Sequence, residues 1–468
     1  MTDPLVARMH AWLAEHEASL VADCRGLLQI PSVKGDPEPT APFGAANRDA
    51  LDYMLGLAHE QGMRTRDIEG YCGYAEFGVG DPMVMILGHL DVVPVGDGWK
   101  HTPFGAEIDD GYLYARGAVD DKGPTMAAFY AAMALKACMP EPNVRIRAVF
   151  GCDEESGFRC ISRYNKTEEA PTFGIAPDAL WPMVHAEKGI ANLVIEAPLP
   201  GGDFALLSIK GGERANVVLE RCTARVRVGD AVRSEVEAAL AEAWDRNVTF
   251  AWEEGHVLAI DALGKAAHGS TPYWGDNAAI RVLRFLVSIA PLTSREQYAD
   301  LFRLPQTQGE GVGIAGADEV SGALSCNLGV VNSKEGTLAM TLNVRYPVTW
   351  KGEQIKSRCK ARLEQYGRGY TLAKMSDSPS LYFPTDHPMV KAIAEVYTTE
   401  TGEQLKPQVI GGGTYARAIA NTVSIGTGWL GDGGAHEHDE RVKVEHLHRM
   451  SRIYAHVLLR LVKLAASA

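Results

Sequence analysis

The alternation of apolar, strand-like segments with a helical segment between residues 82 and 179 constrains the fold of this chain most strongly. Three segments are apolar along most of their length, namely PMVMILGHLDVV (82–93), NVRIRAVFGC (143–152) and TFGIAPDA (172–179). Between the first two lies GPTMAAFYAAMALKA (123–137), whose Ala-rich composition is typical of a helix. Strands that are apolar on both faces occur in parallel sheets with helices on each side. The pattern therefore predicts an α/β fold, with a mixed, mostly parallel sheet covered by helices.

The middle of the chain has a different pattern, in which apolar and polar residues alternate. Such stretches include IANLVIEAPL, CTARVRV, HVLAIDALG, ALSCNLGVV and TLAMTLNVRYPV. A period of two is typical of antiparallel strands with one solvated face. We therefore expect residues 188–382 to form an inserted α+β lid domain of two similar halves. Residues 1–187 and 383–468, which return to the α/β pattern, are expected to form one discontinuous catalytic domain.

Charge and composition exclude several classes of partner. The 468 residues carry a formal net charge of −13, which argues against a nucleic acid or an anionic membrane surface as partner. No apolar run approaches the roughly 20 residues that span a bilayer. The first residues lack the continuous apolar core of a signal peptide, and the eight cysteines show no C-x-x-C pair. These features predict a cytoplasmic protein with reduced thiols.

Acids and histidines recur where the predicted strands end. They are His89 with Asp91, Asp120 with Asp121, Asp153 with Glu154 and Glu155, Asp178, and a late run around His436. Each group alone has an ordinary explanation, such as a turn, a helix N-terminus or an exposed charged loop. Together they point to one site, because ligands bind at the carboxyl ends of strands in open α/β sheets.

The residue types favour a pair of divalent cations. Two histidines with about four carboxylates suit two borderline cations such as zinc, although manganese or cobalt would accept the same ligands. Calcium sites use no histidine, and a structural zinc more often uses cysteine. Two neighbouring cations share a bridging carboxylate and activate water for hydrolysis, while one further carboxylate must stay unligated as the general base.

Six motifs in this sequence resemble those of the co-catalytic zinc exopeptidases, the family of aminoacylase, glutamate carboxypeptidase, succinyl-diaminopimelate desuccinylase and the carnosinase-type dipeptidases. The motifs are GHLDVVPVGDGWKHTPF, ARGAVDDKGP, GCDEESG, APDA, GKAAHGSTPYWGDNAA and GAHEHDERV. The resemblance implies that His89 and Asp178 hold one metal, that Glu155 and His436 hold the other, and that Asp120 bridges both. It also implies that Glu154 is the general base and that Asp91 orients His89.

The same resemblance extends to the lid domain. It implies that His268 in AAHGS stabilises the oxyanion and that Asn216 and Arg345 bind substrate. Gly412, Gly413 and Thr414 in GGGTYARA resemble the substrate-terminus loop of the bacterial dipeptidase V subgroup. Without this context, Arg345 would be interpreted as a structural arginine and the glycines as a tight turn. The long lid, whose second half would replace a partner subunit, implies a monomer.

The predicted function is hydrolysis of unblocked dipeptides by two divalent metal ions, with zinc expected. The alternative within the same chemistry is an N-acyl amino acid deacylase or desuccinylase. A metal-binding relative without catalysis belongs to a different class, and would not need both Glu154 and His268. Asp153 is expected to have a structural hydrogen-bonding role, and the sequence assigns no role to His438.

Overall fold

The structure is a computed structural model that describes residues 3–467. Its helices α1–α11 run over Pro4–Glu15, Glu17–Leu28, Ala45–Glu60, Lys122–Cys138, Arg159–Thr167, Arg233–Glu242, Ala278–Ile289, Leu292–Arg303, Gly352–Gln365, Pro388–Thr401 and Val444–Ala465. Its strands β1–β22 run over Arg64–Ile68, Cys72–Phe77, Met83–His89, Glu107–Asp109, Tyr112–Tyr114, Arg145–Gly151, Phe173–Ala179, Met183–Glu187, Gly189–Pro198, Phe204–Gly211, Arg221–Val228, Val248–Glu253, Val257–Leu263, Ala317–Asp318, Gly322–Ala323, Ser325–Lys334, Thr337–Tyr346, Thr371–Ser378, Leu381–Tyr382, Gln408–Ile410, Thr422–Gly426 and Arg441–Lys443.

The described residues divide into two compact units. Unit 1 comprises residues 3–185, Phe383–Gln408 and 414–467. Unit 2 comprises Ala186–Tyr382 and the short segment Val409–Gly413.

Unit 1 is built on a mixed sheet with the strand order β1-β2-β6-β3-β7-β21-β8. The four central strands β6, β3, β7 and β21 are parallel. The outer pairs β1–β2, β2–β6 and β21–β8 are antiparallel. The predicted α/β class with a mixed sheet is confirmed. The sequence order did not show that β21, from the end of the chain, lies between β7 and β8.

Helices cover both faces of this sheet. On one face Phe129 of α4 packs against Phe150 of β6, with ring centroids 5.9 Å apart. On the other face Arg147 of β6 donates a 2.9 Å hydrogen bond to the hydroxyl of Tyr164 in α5. Every residue of α4 from 122 to 135 is buried, because α1, α2 and α11 pack around it. Small Ala side chains allow this close approach.

Unit 2 contains an eight-stranded antiparallel sheet with the order β12-β13-β11-β10-β16-β17-β9-β18. Alternate residues of β11 are buried and exposed along its whole length, as the period of two predicts. Helix α7 packs on β11 and β13, and α9 packs on β18. The buried face forms the hydrophobic core of this unit.

The chain follows the same path on the two sides of the β10–β16 join. One side runs β10-β11-α6-β12 and the other runs β16-β17-α9-β18, each as strand, strand, helix, strand. The join is short, since only Lys210 and Gly211 pair with Asn332 and Val331. The sheet is therefore continuous but has two sides of equivalent strand order.

Each of the eight cysteines is a free thiol, and all except the half-buried Cys138 are buried. Burial raises the pKa of Cys160 to about 12, so this thiol is a packing group rather than a nucleophile. Within residues 3–467, no helix is both long enough and apolar enough to cross a bilayer.

Candidate metal centre

The predicted ligands meet at one edge of the unit 1 sheet. His89 ends β3, Glu154 and Glu155 follow β6, and Asp178 lies near the end of β7. These three strands are parallel neighbours, so their carboxyl ends share an edge. Asp120 precedes α4 and His436 lies in the loop between β21 and β22.

The carboxylate of Asp120 lies between the two imidazoles. Its Oδ1 is 3.0 Å from Nε2 of His89, and its Oδ2 is 3.0 Å from Nε2 of His436. Burial opposes ionisation, but the hydrogen bonds to His436 and His89 lower the pKa of Asp120. One oxygen for each imidazole is the arrangement that a bridging carboxylate requires.

Glu155 completes the group on the His436 side. Its Oε1 is 2.9 Å from Nε2 of His436. One ligand atom each from His89, Asp120 and Glu155 lie within 4.8 Å of one another. Hydrogen bonds to Asp120 and Glu155 raise the pKa of His436 to about 10. Positive charge is therefore favoured between these carboxylates.

Two further half-buried carboxyl groups, those of Asp178 and Glu154, lie beside these ligands. Burial and the charge of Asp120 raise the pKa of Asp178 well above its usual value. Burial, with the charges of Glu155, Asp91 and Asp120, raises the pKa of Glu154 to about 7. Ionisation of so many neighbouring carboxyl groups is favoured only when a cation compensates their charge.

Asp91 contacts its predicted partner through its backbone. Nδ1 of His89 lies 2.9 Å from the carbonyl oxygen of Asp91, and 3.7 Å from the Asp91 carboxylate. That carboxylate instead accepts the backbone N–H groups of Glu154 and Glu155, each at 3.0 Å. Asp91 thus contacts both the His89 ring and the loop that carries the two glutamates.

Asp153 is wholly buried and holds the same loop from the other side. It accepts hydrogen bonds from Nζ of Lys34 at 2.6 Å, from the hydroxyl of Ser156 and from the backbone N–H of Arg159. These bonds confirm its structural role. His438 lies elsewhere, against the turn at Gly96 and Gly98, where it would contact any added Cβ.

The predicted lid residues His268, Asn216 and Arg345 belong to unit 2. Nδ1 of His268 lies 2.7 Å from the hydroxyl of Ser270 and accepts the backbone N–H of Ser270 at 3.3 Å. These contacts leave the proton on Nε2, which is then a donor. Partial burial of the ring and the charge of Arg345 lower the pKa of His268, so its neutral form is favoured.

Short contacts connect these lid residues. The backbone N–H of Gly269 donates to the carbonyl of Asn216 at 2.7 Å. Arg345 donates from Nη1 to the carbonyl of Gly411 at 3.1 Å, next to Gly412 and Gly413. Asn216, His268, Arg345 and the glycine segment are therefore neighbours within unit 2. Thr414 belongs to unit 1, where its hydroxyl lies 2.6 Å from that of Ser424 in β21.

Sequence reasoning did not assign Tyr415, Arg116 or Glu440 to the site. The buried Tyr415 ring packs edge-on against the His89 imidazole, with centroids 5.9 Å apart. Arg116 and Glu440 contact the loops of Asp120 and His436. Arg116 lies in the motif ARGAVDDKGP and Glu440 in the motif GAHEHDERV. Their positions in these motifs were the sequence signal that could have assigned them to the site.

The donor chemistry of this site fits divalent cations. Imidazole nitrogens and carboxylate oxygens are the ligands that zinc, manganese and cobalt accept. The imidazoles of His89 and His436 lie on either side of the Asp120 carboxylate. The carboxyl groups outnumber the imidazoles, so their ionisation needs additional positive charge. The residues present therefore fit a pair of divalent metal ions.

The fold and the site together define an α/β enzyme with its polar groups at the carboxyl edge of a mixed sheet. A profile of peptidase family M20/M25/M40 matches residues 85–460. The chain belongs to this family and is a hydrolase that acts on peptide bonds. It is 35% identical over 457 residues to "Putative dipeptidase YtjP" of Bacillus subtilis (strain 168), which covers 95% of this chain and 97% of that protein.

Other relatives and solved structures agree with the family. "Putative dipeptidase SAUSA300_1697" of Staphylococcus aureus (strain USA300) is 33% identical over 463 residues, covering 94% of this chain and 96% of that protein. Aminoacylhistidine dipeptidase from Vibrio alginolyticus has a TM-score of 0.57 at 15% identity, covering 95% of this chain and 96% of that chain. The dipeptidase Dug1p from Saccharomyces cerevisiae has a TM-score of 0.55 at 16% identity, covering 98% of this chain and 98% of that chain. At such identities the solved structures show a shared fold alone.

Proposed function

We propose that this protein is a two-metal dipeptidase that hydrolyses unblocked dipeptides. The observation that carries the proposal is the position of the Asp120 carboxylate. One of its oxygens lies 3.0 Å from the His89 imidazole and the other lies 3.0 Å from the His436 imidazole. The dipeptidase names of the relatives in Bacillus subtilis and Staphylococcus aureus support the substrate class.

In the proposed centre, His89 and Asp178 would hold one cation and Glu155 and His436 would hold the other. Asp120 would be the ligand that the two cations share. Zinc is the proposed metal, and manganese or cobalt would fit the same ligands. The charges of Asp120, Asp121 and Glu154 oppose the ionisation of Asp178, so a cation bound beside this carboxyl would be favoured.

Bound cations would polarise the substrate carbonyl and activate the attacking water. Glu154 is the proposed general base, because its half-buried carboxyl lies beside the ligands and its pKa is raised to about 7. It takes a proton from the attacking water and later delivers that proton to the leaving amine. His268 donates from Nε2 to the oxyanion that forms on the substrate carbonyl.

Unit 2 is proposed to act as the lid domain that binds the ends of the substrate. Arg345 would bind the substrate carboxylate by a charge-assisted contact. Asn216 would donate to the substrate, while Gly412, Gly413 and Thr414 would present backbone groups to its terminus. A Cβ added at Gly412 would meet open space, so substrate can approach this backbone closely. The proposed enzyme is monomeric and cytoplasmic.

The test compares a free dipeptide with its N-acetyl and N-succinyl analogues. Metal-free protein is reloaded with zinc, manganese or cobalt, and the release of free amino acid is followed. We expect turnover of the free dipeptide only after metal is added. Preferential cleavage of the N-acylated analogues would instead identify a deacylase or desuccinylase. Absence of turnover with every metal would favour a non-catalytic metal-binding protein.

A further inference from the structure

We propose that the buried pair of Arg116 and Glu440 is a positioning device that holds the loops of Asp120 and His436 in register. The proposal rests on the proposed metal centre, since its consequence is metal affinity. Neither residue is proposed to touch substrate. They act through the backbone of two metal ligands.

Glu440 binds the backbone of the Asp120 loop directly. Its Oε1 accepts the N–H groups of Gly117 at 3.1 Å, Val119 at 2.9 Å and Asp120 itself at 3.1 Å. Three donors converge on one oxygen, so that oxygen fixes the path of the chain into Asp120. The side chain of Glu440 is 0% exposed.

Arg116 binds both Glu440 and the His436 loop. Its Nη1 donates to Oε2 of Glu440 at 2.6 Å and to the carbonyl of Glu437 at 3.2 Å. Its Nη2 donates to the carbonyl of His436 at 3.4 Å. A planar guanidinium is suited to such a fork, because its donors point in fixed directions.

The backbone of His436 needs this support. His436 has a φ of 65°, in the left-handed region that residues other than glycine seldom adopt. Such a conformation persists when surrounding contacts hold it. The contact from Arg116 to the His436 carbonyl is one of those that do so.

A buried ion pair is costly unless its hydrogen-bonding capacity is used. Here the Glu440 carboxylate accepts four hydrogen bonds, one from Arg116 and three from backbone N–H groups. The groups bonded to this carboxylate belong to the Asp120 loop, and Arg116 also donates to carbonyls of the His436 loop. Weakening the pair should therefore loosen Asp120 and His436 relative to each other.

A matched pair elsewhere in unit 1 provides the control. Glu76 of β2 and Arg147 of β6 are 7% and 3% exposed, and Nε of Arg147 donates to Glu76 at 2.7 Å. Glu76 and Arg147 face each other across the sheet ladder. Glu76→Gln removes the same charge from a buried Arg–Glu pair that binds no metal-ligand loop.

The experiment measures the dissociation constant for Co²⁺ by its visible absorption, on full-length metal-free protein. We expect Glu440→Gln to raise this constant about 10- to 100-fold, the usual effect of losing a group that orients metal ligands. Glu76→Gln should leave it within about twofold of the wild type while lowering thermal stability. Arg116→Lys keeps the positive charge but loses the forked donors of the guanidinium, so it should raise the Co²⁺ dissociation constant by a smaller factor. This variant replaces Glu440→Gln in the test if Glu440→Gln does not fold.

Equal Co²⁺ affinity for wild type and Glu440→Gln would overturn the inference. An equal loss in Glu440→Gln and Glu76→Gln would also overturn it, because general destabilisation would then explain the effect. If the folded wild type binds no Co²⁺, the proposed function itself fails. Thermal unfolding of the metal-free proteins separates these outcomes.

Discussion

Glu154 and Glu155 are adjacent in the chain but have different surroundings. Both backbone N–H groups donate to the Asp91 carboxylate, which fixes the loop. From this loop the side chain of Glu155 reaches His436 at 2.9 Å, whereas partial burial and neighbouring carboxylates raise the pKa of Glu154 to about 7. The neighbours can therefore take different roles, one as a ligand and one as a base.

Glu154→Gln is expected to lower kcat on a dipeptide by about 10²- to 10⁴-fold, the range associated with loss of a general base. The amide keeps the size of the side chain but cannot accept the proton. Bound metal, measured by elemental analysis after dialysis, should be unchanged. Glu155→Gln is the matched control and should lose metal as well as turnover. Near-normal kcat for Glu154→Gln would refute the assignment of the base.

His268→Ala is expected to lower kcat by about 10²- to 10³-fold, as removal of an oxyanion donor does. His268 is exposed in the lid, so the melting temperature should change little. Ser270→Ala is the control, because the backbone N–H of Ser270 still directs the tautomer. Unchanged steady-state kinetics for His268→Ala would exclude the oxyanion role.

The segment between β6 and α5 shows how side-chain contacts decide where a helix begins. Helix α5 begins at Arg159, whereas the preceding strand β6 ends at Gly151. The turn between them follows from the Asp91 carboxylate, which accepts the N–H groups of Glu154 and Glu155, and from Asp153, whose carbonyl accepts the N–H of Phe158. Residues held by such contacts form a turn instead of a first helical turn.

In unit 2, Asp318 fastens the β14–β15 hairpin to the chain before α9. Its carboxylate accepts the N–H and hydroxyl groups of Ser321 and of Thr349, at 2.5 to 3.1 Å. Partial burial opposes ionisation, but these bonds, with that from the Ser321 N–H first, lower the pKa of Asp318. The ionised carboxylate is therefore the form that stabilises this connection.

Asp318→Asn is expected to lower the free energy of unfolding by about 1–3 kcal/mol at pH 7. Because the folded pKa is depressed, the Asp318 contribution is present above the unfolded pKa of about 3.9 and is lost as the pH falls through the folded value. Urea unfolding of wild type and variant at pH 7 and below pH 4 should show the difference shrinking with acid. Glu319→Gln, at an exposed neighbour, is the control. A difference independent of pH would contradict the charge-based explanation.

At the scale of the whole molecule, part of the acidic charge lies where cations are proposed to bind. The net charge of −13 includes the carboxylates at the sheet edge. A cation that binds only the folded protein stabilises it by mass action, about 2.7 kcal/mol at 100 times the dissociation constant.

Removal of metal is therefore expected to lower the melting temperature, and zinc, manganese or cobalt should restore it. Calcium should not, since its sites use oxygen ligands and the proposed centre needs imidazoles. Differential scanning calorimetry of chelated and reloaded protein measures the shift. Equal rescue by calcium would argue against the histidine ligands.

The continuous sheet of unit 2 supports a monomer. Its two sides of equivalent strand order meet at β10–β16 within one chain, so a second chain is not needed to supply another copy of this pattern. Light scattering after size exclusion is expected to give the mass of one chain at all concentrations at which the protein is active. Activity confined to a dimer would contradict this expectation.

The sequence by itself determined the α/β class, because apolar runs and strict alternation report which strand faces are buried. It also determined the residue types at the strand ends, since His89, Asp120 and Glu155 stand within distinctive motifs. Those local patterns depend only on neighbouring residues, and they gave the family resemblance that the comparisons confirmed.

Only the tertiary structure decided how distant segments meet. It placed β21 between β7 and β8, brought His436 to Asp120 across more than 300 residues of chain, and paired Arg116 with Glu440. It also directed the Asp91 carboxylate to the glutamate loop instead of the His89 ring. No local period encodes these contacts, because they arise when buried polar groups find the partners that the packed fold makes available.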